Sequence, residues 1–351
     1  MKFRIIYVLT IFQMLTVLLY FLGPINYLGK PKSDAVFWFV AFYLFMLNAG
    51  YFFSRNLFLV GRSGPRTDTS FVKNACLVSL FFLPFTFYTK IGSVNLELNA
   101  GEMYNRSSEL LENSDSSFQY FKMIFGYFFF GLFPVYLYAF NKLNKTIKII
   151  SSFVILVNIL ITILTGVNKV LFDSIIIIFS FFLQKLEVKK FFNLKGIAYA
   201  FLISLFLVCA GIFFVDGQKT REGSSAVSGV NFETGSYSEY NIDDGDGLLF
   251  YAAMTSYLTQ GYRAFDLSLD EEFDFTWGVG NSTFFSRQID RVFDLNISDK
   301  TYPAKLEENG WDRYNYWSTF YVWWASDLGF FGIGFLMFFL GVMFRCVENT
   351  K

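Results

Sequence analysis

The sequence predicts an all-α, polytopic membrane protein with about eight or more transmembrane helices and one large external loop that contains short or re-entrant helices. Hydrophobic residues make up 54% of the 351 residues, aromatic residues 22% and charged residues only 17%, whereas soluble domains contain about 25% charged residues. The apolar residues form long runs without the period-2 alternation of a membrane β-strand. Lys and Arg are also concentrated in alternate connections between these runs, as in multi-span proteins.

Eight apolar runs approach the length of about 20 residues that a helix needs to cross about 30 Å of hydrocarbon. We predict membrane helices over 5–22, 35–53, 75–88, 123–140, 147–165, 170–186, 197–215 and 328–344. The chain is therefore expected to divide into seven transmembrane helices with short loops (1–215), a large external loop (216–327), and a last transmembrane helix with its tail (328–351).

Positive residues in short connections favour the cytoplasmic side, which predicts cytoplasmic N- and C-termini and a periplasmic large loop. Basic clusters flank alternate runs at Lys2 and Arg4, at Arg55, Arg62, Arg66 and Lys73, at Lys142, Lys145 and Lys148, and at Lys185, Lys189, Lys190 and Lys195. The connection with Lys30 and Lys32 is the exception, because it is basic and yet assigned to the external side.

Composition also excludes several function classes. The chain has no histidine, so Ser-His-Asp hydrolysis, histidine acid–base catalysis and His-ligated zinc are excluded. Cys76, Cys209 and Cys346 are far apart in sequence, and neither a disulfide framework nor a metal site is expected. Basic cytoplasmic connections and an acidic external loop argue against a nucleic-acid partner.

The external loop, from Asp216 to about Thr319, carries the first candidate site residues. Arg221 and Glu222 follow the seventh predicted span; a snorkelling role at the helix end is the alternative for Arg221. The apolar run 248–258 is too short to span and predicts a re-entrant or interfacial helix. That helix is expected to end near Gly261. Arg263 would then lie just beyond its C-terminal end, with Asp266 three residues later.

Further cations suit an anionic ligand, since Arg recognises phosphate by a planar fork. Arg287 and Arg291 are four residues apart in 282–293 and would share one helical face; local salt bridges on a solvated helix are the alternative. Lys169 lies in an external turn, where positive residues are uncommon. We predict that these three residues bind a diphosphate.

An aromatic run precedes the last predicted span. It contains Tyr314, Tyr316, Trp317, Phe320, Tyr321, Trp323 and Trp324. Such a run is most often an interfacial belt, and stacking on sugar rings, with Tyr316, Trp317, Tyr321 and Trp324 as candidates, is the second interpretation. Asp327 opens the last helix in this interpretation and caps it.

Several of these features together resemble the Wzy-type oligosaccharide repeat-unit polymerases of bacterial surface polysaccharide assembly (O-antigen or capsule). They are the basic turn ahead of an apolar helix (166–173), the large external loop with Gly-Tyr-Arg-Ala (261–264), and the Thr-Phe-Tyr run (319–321) that leads into Asp-Leu-Gly-Phe-Phe-Gly (327–332). The resemblance covers the architecture of nearly the whole chain, and its sharpest motif lies within 316–341. Members of the family usually continue with further spans after this helix, whereas this sequence stops at Lys351.

The resemblance implies a metal-independent glycosyltransferase of the bacterial inner membrane, without a cofactor, that joins undecaprenyl-diphosphate-linked oligosaccharides on the periplasmic side. It implies Arg221 and Arg263 as catalytic residues beside the departing diphosphate, with Lys169, Arg287 and Arg291 as diphosphate ligands. Asp266 is our first choice of general base and Glu222 the second. Membrane lipids, a chain-length regulator and a flippase are the implied partners.

Three other functions are alternatives to polymerisation, and the first of them, an O-antigen ligase, shares the architecture. An O-antigen ligase is disfavoured because ligases resembling this family rely on a loop histidine. A flippase or exporter would be expected to have more spans, short loops and charges within the helices, whereas Asp173 is the chief charged residue inside the predicted spans. A scaffold for other assembly enzymes would leave the arginines replaceable.

Overall fold

The structure is a computed structural model, which describes residues 5–23, 25–27, 31–54, 69–91, 131–164, 173–178, 181, 230–232, 246–311, 313 and 316–349. These residues are mostly helical, which confirms the predicted class, although two three-residue strands also form. The chain divides into two compact units, one of residues 1–5 and 66–228, the other of residues 6–65 and 229–351. The predicted division at 215 and 327 concerns membrane topology and stays a prediction.

The elements follow one another in this order. The first half contains α1 (Ile5–Leu22), β1 (Ile25–Tyr27), α2 (Asp34–Phe53), α3 (Thr69–Ile91), α4 (131–139), a 3-10 turn (Phe140–Lys142), α5 (Lys145–Leu164) and α6 (173–178). The second half contains β2 (Val230–Phe232), α7 (Asp246–Ser268), α8 (Thr283–Phe293), α9 (Ile297–Lys300), α10 (Tyr302–Lys305), a 3-10 turn (Leu306–Asn309) and α11 (Phe320–Asn349).

In the unit of residues 66–228, α3 packs against α5. Val72 and Cys76 of α3 meet Leu132, Tyr136 and Ile155 in a buried apolar cluster. The Ser151 hydroxyl donates a hydrogen bond of 2.9 Å to the Cys76 sulfur. Burial raises the free energy cost of any unpaired polar atom, so this contact lets a serine lie inside the helix pair.

In the other unit, α2 and α11 pack closely along their length. Glycines permit this approach, because a Cβ at Gly50 would lie 2.0 Å from the Phe338 carbonyl oxygen and one at Gly341 would lie 2.0 Å from the Leu47 carbonyl oxygen. Small residues at helix crossings are typical of membrane helix pairs. β1 and β2 form an antiparallel pair, with Ile25 opposite Phe232.

Two helices in the described part of the chain, Asp34–Phe53 and Phe320–Glu348, are long and apolar enough to cross a membrane. α11 exposes Phe331, Phe335 and Phe339, which are four residues apart and 74%, 66% and 62% exposed. A continuous stripe of exposed Phe is typical of a lipid-facing surface and uncommon on a soluble protein. These features indicate a membrane protein.

Element bounds agree closely with the prediction for α1, α2 and α5, whereas α11 begins eight residues before the predicted span. The extra turns form because Tyr321, Val322, Ala325 and Ser326 make one buried helical face. The predicted spans 170–186 and 197–215 lie largely or wholly outside the described residues, as does the first part of 123–140, so the count of eight stays a prediction.

Candidate functional site

Arg263 and Asp266 form a buried ion pair inside α7. Their side chains are 3% and 0% exposed, and the Arg263 Nη1 atom lies 3.5 Å from the Asp266 Oδ2 atom. The expectation that the helix ends near Gly261 is wrong: α7 runs on to Ser268, because Tyr262, Ala264 and Phe265 continue the buried face of the helix. Arg263 is therefore within the helix, on the same face as Asp266 one turn later.

Asp266 also joins α7 to two other elements. The Tyr20 hydroxyl of α1 donates a hydrogen bond of 2.9 Å to Asp266 Oδ2, and the Ser33 backbone N–H donates one of 3.1 Å to the same atom. Ser33 is the N-cap residue of α2, where its hydroxyl accepts from the Ala35 N–H at 3.2 Å. A buried carboxylate is tolerated only when such donors offset its lost hydration.

Two tyrosines position the cations of the site. The Arg263 guanidinium lies 5.9 Å from the ring centre of Tyr27, and the Lys32 ammonium lies 5.4 Å from that of Tyr20. The hydroxyls of Tyr27 and Thr259 are 2.7 Å apart and share a hydrogen bond. Burial raises the pKa of Tyr27 to about 12, against the lowering effect of Thr259 and Arg263, so its phenol stays protonated at neutral pH.

Four residues of this site, Lys32, Tyr20, Tyr27 and Ser33, were not predicted from the sequence. Lys32 had a usable signal, since it is one of two basic residues in an external connection where positive charge is uncommon. Tyr20 and Ser33 had none, because they contact a residue more than 230 positions later in the chain. The assembled cluster contains two cations, Arg263 and Lys32, and one carboxylate.

An open cleft of about 590 Å³ lies next to this cluster. Its lining is mainly apolar, with Ser33, Asp270 and Tyr302 as polar members, and consists of Ser33, Ala35, Phe39, Leu269, Asp270, Phe273, Tyr302, Leu328, Gly329, Phe330 and Phe331. Ser33 belongs to both the cleft wall and the Asp266 cluster. The size and the few polar groups are those of a small-molecule pocket.

The Asp-Leu-Gly motif has a structural role at the cleft. Asp327 lies within α11 and does not open the helix as predicted; its carboxylate instead accepts hydrogen bonds from Thr276 Oγ1 (2.5 Å), the Gly280 N–H (3.0 Å) and the Asn281 N–H (2.9 Å). Gly329, at φ 65° and ψ 166°, interrupts the helix, a conformation that is open to glycine and strained for other residues. The motif thereby fixes the loop 276–281 and bends α11 at the cleft.

The predicted sugar-binding aromatics fall in different environments. Trp317 is 38% exposed, and its ring lies so close to α7 that a Cβ on Gly261 would be 2.4 Å away. The Tyr316 ring lies tilted against Trp311 with ring centres 4.9 Å apart, and Trp324 packs on Phe320. Tyr321 is buried, donates a hydrogen bond to Gln13 and contacts Tyr43, so its ring belongs to the core. Sugar binding stays a prediction.

The remaining predicted site residues lie on α8 or outside the described residues. Arg287 and Arg291 are exposed on one side of α8, which confirms the predicted helix. Lys169, Arg221 and Glu222 lie outside the described residues, and their roles stay predictions. Comparison of the chain with protein-family models, with curated proteins and with solved structures gave no match.

Proposed function

We propose that this protein is an inner-membrane polymerase that joins lipid-diphosphate-linked oligosaccharide repeat units on the external side of the membrane. The observation that carries the proposal is the buried Arg263–Asp266 pair, which is connected through Ser33 to an open apolar cleft. Charged side chains are almost never fully buried unless they are paired, and a cleft with few polar groups beside such a pair is a candidate ligand site. The proposed protein has about eight spans and cytoplasmic termini.

The transfer is a displacement at the sugar carbon that carries the diphosphate. A hydroxyl of one repeat unit attacks that carbon, the bond from the carbon to the diphosphate oxygen breaks, and the diphosphate leaves with the electron pair. The hydroxyl proton passes to a carboxylate, for which Asp266 is the first candidate and Glu222 the second. Negative charge therefore grows on the leaving diphosphate, where a fixed cation stabilises the transition state more than the ground state.

Arg263 is suited to this role by its surroundings. Its distance of 3.5 Å to Asp266 exceeds the roughly 2.7–2.9 Å of a strong charge-assisted hydrogen bond. In the proposed cycle, Asp266 balances the guanidinium while the site is empty, and a phosphate group takes over this position when the lipid binds. The displaced carboxylate is then able to accept a proton. Diphosphate binding by Arg221 and Lys169 stays a prediction from the sequence.

Deletion of the gene in its own host tests the function. Loss of a polymerase leaves one repeat unit on the lipid core and removes the ladder of longer products on a gel of surface polysaccharide. Loss of even the single unit would indicate transport or ligation and would contradict the proposal. A general weakening of all bands, restored by any arginine variant, would indicate a scaffold.

A further inference from the structure

α8 presents an apolar face to its surroundings. Phe285, Val292 and Phe293 are 58%, 69% and 65% exposed, whereas Ser286 of the same helix is buried. The helix is only eleven residues long and begins at the N-cap Ser282, whose hydroxyl accepts from the Phe285 N–H. Three large apolar side chains exposed on so short a helix need a partner surface.

The charged side of α8 is basic. Arg287 and Arg291 are exposed on a face away from Val292. The one acidic residue of the helix, Asp290, is directed to α9, where it accepts hydrogen bonds from the Ile297 N–H at 2.5 Å and the Ser298 N–H at 2.8 Å. Aromatic and aliphatic residues on one face with arginines on another are typical of helices that lie in a membrane interface.

The anchoring of α8 places it at the level where the apolar part of α11 begins. Asp327 binds Gly280 and Asn281, which directly precede the N-cap Ser282. Leu328 follows Asp327 and starts the apolar sequence that exposes Phe331. The start of α8 is therefore held at the point where α11 would enter the hydrocarbon.

A second group of exposed aromatics lies at the same level. Phe273 is 48% exposed and lies 4.0 Å from the position of a Cβ on Gly329. Phe275 and Trp277 follow it, with ring centres 5.5 Å apart. Trp277 is 72% exposed and has a positive φ of 59°, a strained conformation for a bulky residue. The loop thus holds a tryptophan outward at the expected height of the lipid headgroups.

We propose that α8 together with Phe273, Phe275 and Trp277 is a membrane-interface surface, which inserts its apolar side chains among the lipids around the external end of α11. The partner is the lipid surface itself, since the exposed Phe stripe of α11 continues from the same level. Arg287 and Arg291 would then face anionic headgroups. The surface keeps the cleft beside α11 at the bilayer, and the inference is independent of the reaction proposed above.

The test uses the full-length protein in vesicles of phosphatidylethanolamine and anionic phosphatidylglycerol. A photoreactive diazirine fatty acid labels side chains that touch the acyl region, and mass spectrometry locates the label. We expect labelling of α8, of 273–277 and of the α11 stripe, and none of α9 and α10. Labelling of α11 without α8 would overturn the inference and indicate a protein partner, and no labelling of α11 would overturn its membrane premise.

A charged variant adds a second readout. Val292→Asp should reduce the label on α8 severalfold and leave the label on α11 unchanged, because the charge opposes insertion of this face. Asp299→Asn, on the exposed part of α9, is the matched control and should change neither. Unchanged labelling of α8 in Val292→Asp would overturn the inference, and the unmodified protein alone decides the question if that variant does not fold.

Discussion

Asp266 carries a charge in the interior of its unit because donors from separate parts of the chain converge on it. Tyr20 comes from α1, Ser33 from the start of α2, and Arg263 from the preceding turn of α7. Removing one donor leaves the others in place, but fewer hydrogen bonds then offset the free-energy cost of burying the carboxylate. The carboxylate is thus a candidate proton acceptor, and its contacts also connect α7 to α1 and to the start of α2.

Tyr20→Phe tests the contribution of this hydrogen bond to stability. The change removes the hydroxyl that donates to Asp266 at 2.9 Å and should lower the free energy of unfolding by about 2 kcal/mol, the usual value of a hydrogen bond to a charged group. Unfolding in mixed detergent and SDS micelles measures it. Tyr7→Phe, at an exposed position of the same helix, should change stability by no more than about 0.5 kcal/mol. Equal stability of both variants would contradict the account of Asp266.

Arg263 has a close counterpart at the other end of the same unit. Arg345 is paired with a carboxylate three residues later, Glu348, at 3.1 Å, and lies 5.1 Å from the ring centre of Tyr51. Arg263 likewise has a carboxylate three residues later, Asp266, and a neighbouring aromatic ring, Tyr27. The local chemistry is alike, but Arg345 lies near the end of α11 opposite the cleft-lining residues 328–331, and this makes it a matched control.

At the scale of elements, the approach of α2 and α11 depends on glycines. A Cβ on Gly341 would lie 2.0 Å from the Leu47 carbonyl oxygen and 2.8 Å from the Tyr51 nitrogen. Both atoms belong to a helix backbone, which cannot move aside as a side chain can. The two helices must separate to admit even one methyl group.

Gly341→Ala is therefore expected to lower the free energy of unfolding by about 3 kcal/mol through overpacking. The same SDS titration measures the loss. Gly131→Ala is the control, because a Cβ there meets no atom of the described residues within 4 Å and alanine favours a helix by about 1 kcal/mol. A tolerated Gly341→Ala would show that α2 and α11 do not pack in this register.

The junction of α8 and α9 is expected to be sensitive to acid. Burial alone would raise the pKa of Asp290, but hydrogen bonds from Ser298 and Ile297 outweigh it and hold the pKa below its ordinary value of 3.8. The stabilisation is complete above the unfolded pKa and is lost as pH falls through the lower folded pKa.

Comparison of the wild type with Asp290→Asn at several pH values checks this prediction. The wild type should be the more stable protein above about pH 4, and the difference should shrink on acidification below it. Protease cleavage between residues 293 and 297 is a suitable local readout. A stability difference that does not change with pH would show that the ionised form of Asp290 is not what holds α9.

At the scale of the whole molecule, the helices were predictable where apolar runs are uninterrupted. α1, α2 and α5 follow their runs to within two residues, because hydrophobicity and length decide such segments. α7 and α11 extend beyond their apolar runs, since polar and aromatic residues gain burial only after the helices pack. The one-face placement of Arg287 and Arg291 was predictable from spacing alone.

The candidate site was predictable only in part. Arg263 and Asp266 could be selected because charged residues close to an apolar run are uncommon, but their pairing with Tyr20 and Ser33 depends on tertiary contacts across more than 230 residues. The Asp327 contacts to Thr276, Gly280 and Asn281 are likewise long-range. The Asp-Leu-Gly sequence motif therefore indicated that Asp327 is important, but it did not reveal that the Asp327 carboxylate holds the loop 276–281 by hydrogen bonds.

Arg263 is proposed to act on the substrate diphosphate, and expression of Arg263→Ala and Arg345→Ala in the deletion host tests this role. Surface polysaccharide is compared on a gel at matched amounts of membrane-inserted protein. We expect Arg263→Ala to leave only single repeat units and Arg345→Ala to restore the full ladder. A full ladder with Arg263→Ala, or equal loss with both variants, would contradict it.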